Sequence, residues 1–260
     1  MSKKNLGVAV VTGASSGIGK VYAGRLAKRG YDLLLVARRK DRLDAHAKEL
    51  KETSGVQVDV LQADLTNYEQ LKQVGKVIAG DERITMLVNN AGIAVVGASA
   101  ELSLQDVESQ FDLNSRALQH LTQAILPGFL KRSSGTLINI GSVLGFFAYP
   151  ISTAYSASKA HVMLYTIGLR DELAKTNIRV QLVLPSTTRT ENVGSQYVPP
   201  ETVMSVDDLV DAALAGLDRG ETVTLPSVED ASLWDAFDAA RIKLFDATQT
   251  KQPASRYLSK

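Results

Sequence analysis

The chain has 260 residues, 45% of them hydrophobic, enough for one large α/β domain that buries roughly three quarters of its unfolded surface. Its 29 basic and 28 acidic side chains leave a formal charge of +1, so no overall field draws it to nucleic acid or an anionic membrane, and small-molecule chemistry is favoured. The lack of cysteine excludes a disulfide framework, a thiolate metal site and a thiol nucleophile, and suits a reducing, cytoplasmic setting.

The basic start, Lys3-Lys4, precedes an apolar run at 6–11 that is too short for a signal peptide and meets a glycine turn at once, so it reads as a first strand at 8–11. A helix is expected over 18–29, then a strand at 33–36, a helix at 42–51, a strand at 56–61, a helix at 68–78 and a strand at 86–88. A helix at 113–130, a strand at 136–140, a helix at 154–175 and a strand at 180–184 follow. The strands are Val/Ile/Leu runs without polar alternation, as strands covered on both faces require. This order implies a single-domain α/β fold, a doubly wound parallel sheet with helices on both faces. After Pro185 a Ser/Thr-rich stretch leads to Pro199-Pro200, then to a helix at 206–217 capped by Ser205 or Asp207, a short strand at 222–225 and a helix at 229–245. A polar tail, 249–260, is expected to be mobile. The uncharged stretches 84–100 and 136–151 fall short of the ~20 apolar residues of a membrane span and are broken by Asn, Gly or Pro, so a soluble protein is expected.

The turn at 12–19, Thr-Gly-Ala-Ser-Ser-Gly-Ile-Gly, ends the first strand and opens the first helix. There a pyrophosphate can sit on unpaired N–H groups at the positive end of the helix dipole. Gly13, Ser15, Ser16, Gly17, Ile18 and Gly19 are the candidate contacts, although the spacing is not the general Gly-x-Gly-x-x-Gly and a plain glycine-rich turn is the alternative. The second strand ends in Ala37-Arg38-Arg39, where an acid for a ribose 2′-hydroxyl would stand and none does. A guanidinium can fork onto a 2′-phosphate instead. NADP(H) is therefore expected over NAD(H), with Arg38 as the better candidate and Ser15 as helper, while Arg39, Lys40 and Arg42 read as a solvated basic patch.

Tyr155 and Lys159 lie four apart on one helical face. A tyrosine titrating near ~10 needs a drop of roughly 3 units to work near neutrality, and a neighbouring cation lowers it. The pair alone is also what an amphipathic helix face looks like. Ser142, just after the strand at 136–140, can reach the same carbonyl oxygen.

With Asp64-Leu65 after the third strand, Asn89-Asn90-Ala91-Gly92 after the fourth and Asn114 in the long helix, these motifs resemble the short-chain dehydrogenase/reductase family, over about residues 6–190. The resemblance implies a Rossmann-like sheet of about seven strands and an NAD(P)(H) cofactor. It also implies a homodimer or homotetramer packed through the helices that carry Asn114 and Tyr155. The domain, 1–260, would have a cofactor half at about 6–140 and a catalytic and substrate half at about 141–248. By the same likeness Asp64 and Leu65 would sit by the adenine, Asn90, Ala91 and Gly92 by the adenosine ribose, and Pro185 with Thr188 by the nicotinamide. Ser142, Tyr155, Lys159 and Asn114 would be catalytic, Tyr155 and Lys159 also touching cofactor and Asn114 holding a water that links Lys159 to solvent. Asp64 as a simple helix cap and the asparagine pair as a turn are the plainer readings. Ser186 and Thr188 depart from the family's common glycine and valine.

The expected activity is interconversion of a ketone or aldehyde with its alcohol by hydride transfer. Phe146, Phe147, Tyr149 and a lid over 186–200 with Tyr197 suggest an apolar or aromatic substrate. A 3-oxoacyl-thioester reductase is the alternative, and a non-catalytic NADP(H)-sensing regulator is the alternative of another class. His46, His120 and His161 have no metal-ligand spacing, and no metal is expected.

Overall fold

Strands that are apolar on both faces must be covered on both faces, and the chain meets this with one seven-stranded parallel sheet in the order β3-β2-β1-β4-β5-β6-β7. The computed structural model describes residues 6–191 and 199–258. The strands are β1 (Val8–Thr12), β2 (Asp32–Ala37), β3 (Val58–Gln62), β4 (Ile84–Asn89), β5 (Gly135–Ile140), β6 (Ile178–Val183) and β7 (Val223–Thr224). The helices are α1 (Gly17–Arg29), α2 (Lys40–Ser54), α3 (Tyr68–Gly80), α4 (Leu104–Phe111), α5 (Leu118–Arg132), α6 (Thr153–Glu172), α7 (Val206–Arg219) and α8 (Ser232–Ala247). Each expected strand and helix is present, with ends shifted by a few residues.

The period-two alternation of β1 sends Ala9 and Val11 into one core with Tyr22 and Leu26 of α1, Leu43 of α2 and Leu209 and Leu214 of α7. Val8 and Val10 enter the other, with Leu71 and Ile78 of α3 and Leu121, Ile125 and Phe129 of α5. Fully burying side chains of this size contributes about 1.5–3 kcal/mol each. Arg25 of α1 ties α7 to this layer, with Nε 2.7 Å from Asp211 and Nη2 2.8 Å from Asp207. Ser205, not Asp207, caps α7, its hydroxyl accepting from Asp208 N at 3.0 Å.

The helix expected at 113–130 departs most. It begins at Leu104 and passes through a π-helical turn, Asp112–Ala117, before α5. Of α4 only Gln110 is buried; its apolar residues, Leu104, Val107 and Phe111, recur at helical spacing, and Ser103, whose hydroxyl accepts from Asp106 N at 3.1 Å, is an ordinary capping signal.

The chain divides into two compact units, Met1–Pro226 and Ser227–Lys260. The second holds α8 and a short 3-10 turn, Ser255–Tyr257, in which Arg256 lies over the Tyr257 ring at 4.6 Å. No helix among the described residues is long and apolar enough to cross a membrane.

Candidate active site

Strand order reverses beside β1, which has β2 on one side and β4 on the other, and the carboxyl ends of strands at such a switch point are where an open parallel sheet binds its ligand. Thr12 Oγ1 donates to Val88 O (3.3 Å) and accepts from the N–H groups of Asn90 and Ala91 (3.0 Å each), stitching the two turns together. Asn90 Nδ2 donates to Thr12 O at 2.8 Å. Gly13 has φ +68°, and a β-carbon there would fall 2.8 Å from Asn90 Nδ2 and 2.9 Å from Ala91 Cα. At Gly19 it would fall 2.5 Å from both Asn90 Nδ2 and Gly13 O. Ser16 stands at the N-cap of α1 without a side-chain capping bond, Gly17 and Ile18 open the helix, and no acid occupies its first turn. The leading N–H groups and the positive helix end thus suit an anion, and the side-chain-free surface suits close approach of a pyrophosphate.

At the end of β2 the structure distinguishes two adjacent arginines that sequence could not. Successive residues of an extended segment point to opposite sides. Arg38 is exposed, its carbonyl accepting from Gln62 Nε2 at 3.1 Å, and its guanidinium makes no hydrogen bond or ion pair among the described residues. Arg39, expected in the solvated patch, instead turns back over the glycine turn. Its Nη2 donates to Ser16 Oγ at 2.5 Å and Ser15 Oγ at 3.2 Å, and Nε donates to Ser15 Oγ at 3.3 Å. Arg39 and Arg42 both reach the Glu191 carboxylate, at 3.3 and 2.7 Å.

Asp64 Oδ1 accepts from the N–H and hydroxyl of Thr66 (2.9 and 2.8 Å), closing the turn after β3, and Leu65 is buried in the core. The cap of α3 is Asn67, which accepts from Gln70 N at 3.1 Å, so Asp64 is not that cap. The Asn90 side chain braces the glycine turn. Gly92 is hemmed in, since a β-carbon there would lie 3.1 Å from Asn114 Oδ1 and 3.7 Å from Lys159 Nζ.

Ser142 leaves β5 and N-caps a 3-10 turn, Val143–Gly145, accepting from Leu144 N at 3.1 Å. Its hydroxyl also lies close enough to the Tyr155 phenol to pull that group's pKa downward. Four residues along α6, Lys159 is buried, its Nζ donating to Ile140 O at 2.9 Å and lying 5.9 Å from the Tyr155 ring centre. Asn114, in the π-turn, is buried: Oδ1 accepts from Ile93 N (2.9 Å), and Nδ2 donates to Ile93 O (2.9 Å) and Ser158 Oγ (3.0 Å). The structure thus brings Ser142, Tyr155, Lys159 and Asn114 together.

Their electrostatics differ from the expectation of a lowered tyrosine. Burial pushes the Tyr155 phenol above its ordinary value, against a smaller downward pull from the Ser142 hydrogen bond. Burial also pushes Lys159 down to about 8. The reason is geometric. Lys159 Nζ is held by a backbone carbonyl, so removal from water governs both groups.

Beneath these groups runs a buried polar ladder that sequence reading missed. Asn89 Nδ2 donates to Thr122 Oγ1 and Asn139 Oδ1, and Asn139 Nδ2 donates to Thr166 Oγ1 of α6, all at 3.0 Å. An asparagine inside an otherwise apolar strand was the available signal.

Pro185 O accepts from Val143 N at 3.0 Å. Thr188 is buried and bridges Met204, while its Oγ1 donates to Ser186 O at 3.0 Å. Between Ser142 and Tyr155, Phe146, Phe147, Tyr149 and Ile151 are exposed, Phe147 and Tyr149 meeting edge to face at 5.1 Å. Tyr197 lies outside the described residues. His46 meets Lys20 O at 3.2 Å, His120 packs edge-on to Tyr68 and His161 stacks on Tyr165, three separate helix-packing positions.

The family profile described as short chain dehydrogenase matches residues 7–198. Among solved structures, a short-chain dehydrogenase from Sphingobium yanoikuyae in complex with NADPH is 46% identical, with a TM-score of 0.93 over 97% of this chain and 100% of that one. The bulky-bulky ketone specific alcohol dehydrogenase from Comamonas testosteroni is 41% identical, with a TM-score of 0.92 over 98% of this chain and 100% of that one. A very-long-chain 3-oxoacyl-CoA reductase of Anas platyrhynchos is 40% identical over 183 residues, 68% of this chain and 58% of that protein.

Proposed function

We infer the activity from one premise: the chain belongs to the short-chain dehydrogenase/reductase family, and it is an oxidoreductase acting on alcohol or carbonyl groups with a nicotinamide cofactor. Within that frame we propose an NADP(H)-dependent reductase of bulky, largely apolar ketones, able to run in reverse. The observation that carries the substrate reading is the exposed apolar wall of Phe146, Phe147, Tyr149 and Ile151, set in the chain between Ser142 and Tyr155. The ketone-specific Comamonas enzyme supports it.

Bound nicotinamide supplies or accepts the hydride. The chain's own groups handle the oxygen. Tyr155, a neutral phenol at pH 7 that burial keeps further from ionising, holds the proton a reduced carbonyl oxygen needs. Ser142, beside that phenol, donates to the same oxygen as negative charge develops. Lys159, near half-protonation in a slightly basic medium, replaces the proton. Asn114 has its side-chain amide committed to Ile93 and Ser158, so the water it would hold for that relay must bind its main chain.

For the cofactor, we propose that Gly13, Ser15, Ser16, Gly17, Ile18 and Gly19 hold the pyrophosphate end and that Arg39, with Ser15, takes the 2′-phosphate, Arg38 being left to face the adenine. Backbone at Asp64, Leu65, Asn90, Ala91 and Gly92 would line the adenosine, and Pro185 and Thr188 the nicotinamide. The NADPH-bound Sphingobium structure supports the choice of phosphate. Arg39→Ala should weaken NADPH by about tenfold or more and NADH little, read by cofactor fluorescence titration. A homodimer or homotetramer working in the cytoplasm completes the proposal, with light scattering as the test of assembly.

The deciding assay is NADPH oxidation with diaryl and aryl-alkyl ketones, small aldehydes and 3-oxoacyl thioesters, with Tyr155→Phe alongside. Tyrosine-dependent turnover best on the aryl ketones is expected. Preference for the thioesters would favour the acyl-thioester reading, which the Anas relative supports. Tight NADPH binding with no turnover at all would favour a sensor.

A further inference from the structure

An acid is missing from the end of β2, yet one stands beside that strand's basic residues. Glu191, in the segment after β6, lies with Oε2 2.7 Å from Arg42 Nη1 and 3.3 Å from Arg39 Nη1. Arg39 turns its remaining donors to Ser15 and Ser16 of the glycine turn. The Thr190 methyl lies 3.5 Å from where a β-carbon on Gly17 would be, so this segment runs beside the glycine turn itself.

We propose that Glu191 is a cofactor-specificity residue, whose carboxylate engages one donor of the Arg39 guanidinium that the 2′-phosphate of NADP(H) needs and offers an acceptor to the free 2′-hydroxyl of NAD(H). The inference rests on the reading of Arg39 as the phosphate ligand. Carboxylate and phosphate are alternative acceptors for one guanidinium, and the two anions repel when both are near it. The Arg42 hydrogen bond holds the Glu191 carboxyl below its ordinary value, so it is ionised at neutral pH. The side chain is 54% exposed, which makes the ion pair screened and weak. Glu191 therefore handicaps NADP(H) without blocking it. Toward NAD(H) it acts in the opposite sense, since a carboxylate is what sites for that cofactor present to the ribose 2′-hydroxyl. The acid that β2 lacks is supplied from the other half of the sheet.

The test is fluorescence titration of NADPH and NADH into the full chain and Glu191→Gln, with calorimetric titration of 2′,5′-ADP and 5′-AMP to read the adenosine end alone. Loss of the carboxylate should tighten NADPH and 2′,5′-ADP by about 3- to 10-fold and leave NADH and 5′-AMP unchanged or weaker. NADPH binding that is unchanged or weakened overturns the proposal, as does equal tightening of both cofactors. Arg39→Ala in the same titrations separates two failures. If it leaves the NADPH-to-NADH ratio intact, the Arg39 reading is wrong and this inference falls with it. If it weakens NADPH while Glu191→Gln does not tighten it, only the role of Glu191 is lost.

Discussion

The side-chain amide of Asn90 stands where a β-carbon on Gly19 would fall, 2.5 Å from that position. The same amide donates to Thr12 O at 2.8 Å, so it cannot move aside without freeing the turn after β1. Gly19→Ala is therefore expected to destabilise the fold by about 1–3 kcal/mol through overpacking. It should also weaken either nicotinamide cofactor at least tenfold, because the turn and the start of α1 separate. Thermal unfolding and cofactor titration read the two effects, and an unshifted Tm with normal binding would contradict the steric account.

Lys159 is buried with its pKa pushed down to about 8, from an ordinary 10.5. Between those values the unfolded chain binds the proton and the folded chain does not, so this group makes stability rise with pH from about 8 to 10.5. Below pH 8 the folded state carries the whole cost of the buried ammonium. Lys159→Met should thus be more stable than the parent at pH 7, by about 1–3 kcal/mol, with the gap closing toward pH 10. Denaturant unfolding at the two pH values measures this, and a variant that is less stable at pH 7 would refute it.

Tyr155 is pushed up by burial, and the two directions of reaction need it in opposite states. Ketone reduction uses the phenol and should hold its rate through neutral pH. Alcohol oxidation uses the phenolate and should climb from pH 7 to 9. Steady-state kcat/KM profiles in both directions provide the check, and an oxidation rate that falls over this range would exclude Tyr155 as the base.

Asn139 sits between Asn89 and Thr166 in the buried ladder that joins β4, β5 and α6. Asn139→Ala takes one buried partner from each neighbour, leaving Asn89 with Thr122 and Thr166 with Val162 O, and is expected to cost about 2–4 kcal/mol, beyond the loss of a single hydrogen bond. Because Thr166 lies on the helix that carries Tyr155 and Lys159, kcat should fall more than cofactor affinity. Chemical unfolding together with NADPH titration distinguishes this from a general loss of fold.

The sheet was legible because most strands, β1, β2 and β4 among them, are apolar runs bounded by turn residues, while β3 and β6 keep a Val/Ile/Leu framework around their polar positions. The glycine turn and the Tyr155, Lys159 and Ser142 set were legible from spacing. What escaped has physical reasons. Arg38 and Arg39 are neighbours whose directions depend on the backbone where β2 meets α2, which no composition encodes. Glu191 reaches Arg39 across 152 positions, and spacing says nothing at that distance. The helix α4 is only eight residues long, and its three apolar residues at helical spacing, Leu104, Val107 and Phe111, are too short a run to mark its start by themselves. Tyr155 and Lys159 are four apart as expected, but the direction of their pKa shifts follows from burial, which only packing determines.

The π-turn at Asp112–Ala117 has one more consequence, for how this chain can vary in length. Gln110 before it accepts from Val95 N at 2.7 Å, and Asn114 within it grips Ile93, so two side chains hold one strand-end segment from either side of a wound-out turn. Deleting a single residue there would restore an ordinary helix and rotate one grip against the other by about 100°. Either Asn114 or Gln110 would then lose the segment. The irregular turn acts as a phase setter, which makes the long helix intolerant of one-residue changes in length at the very point where a regular helix would be the more stable local choice.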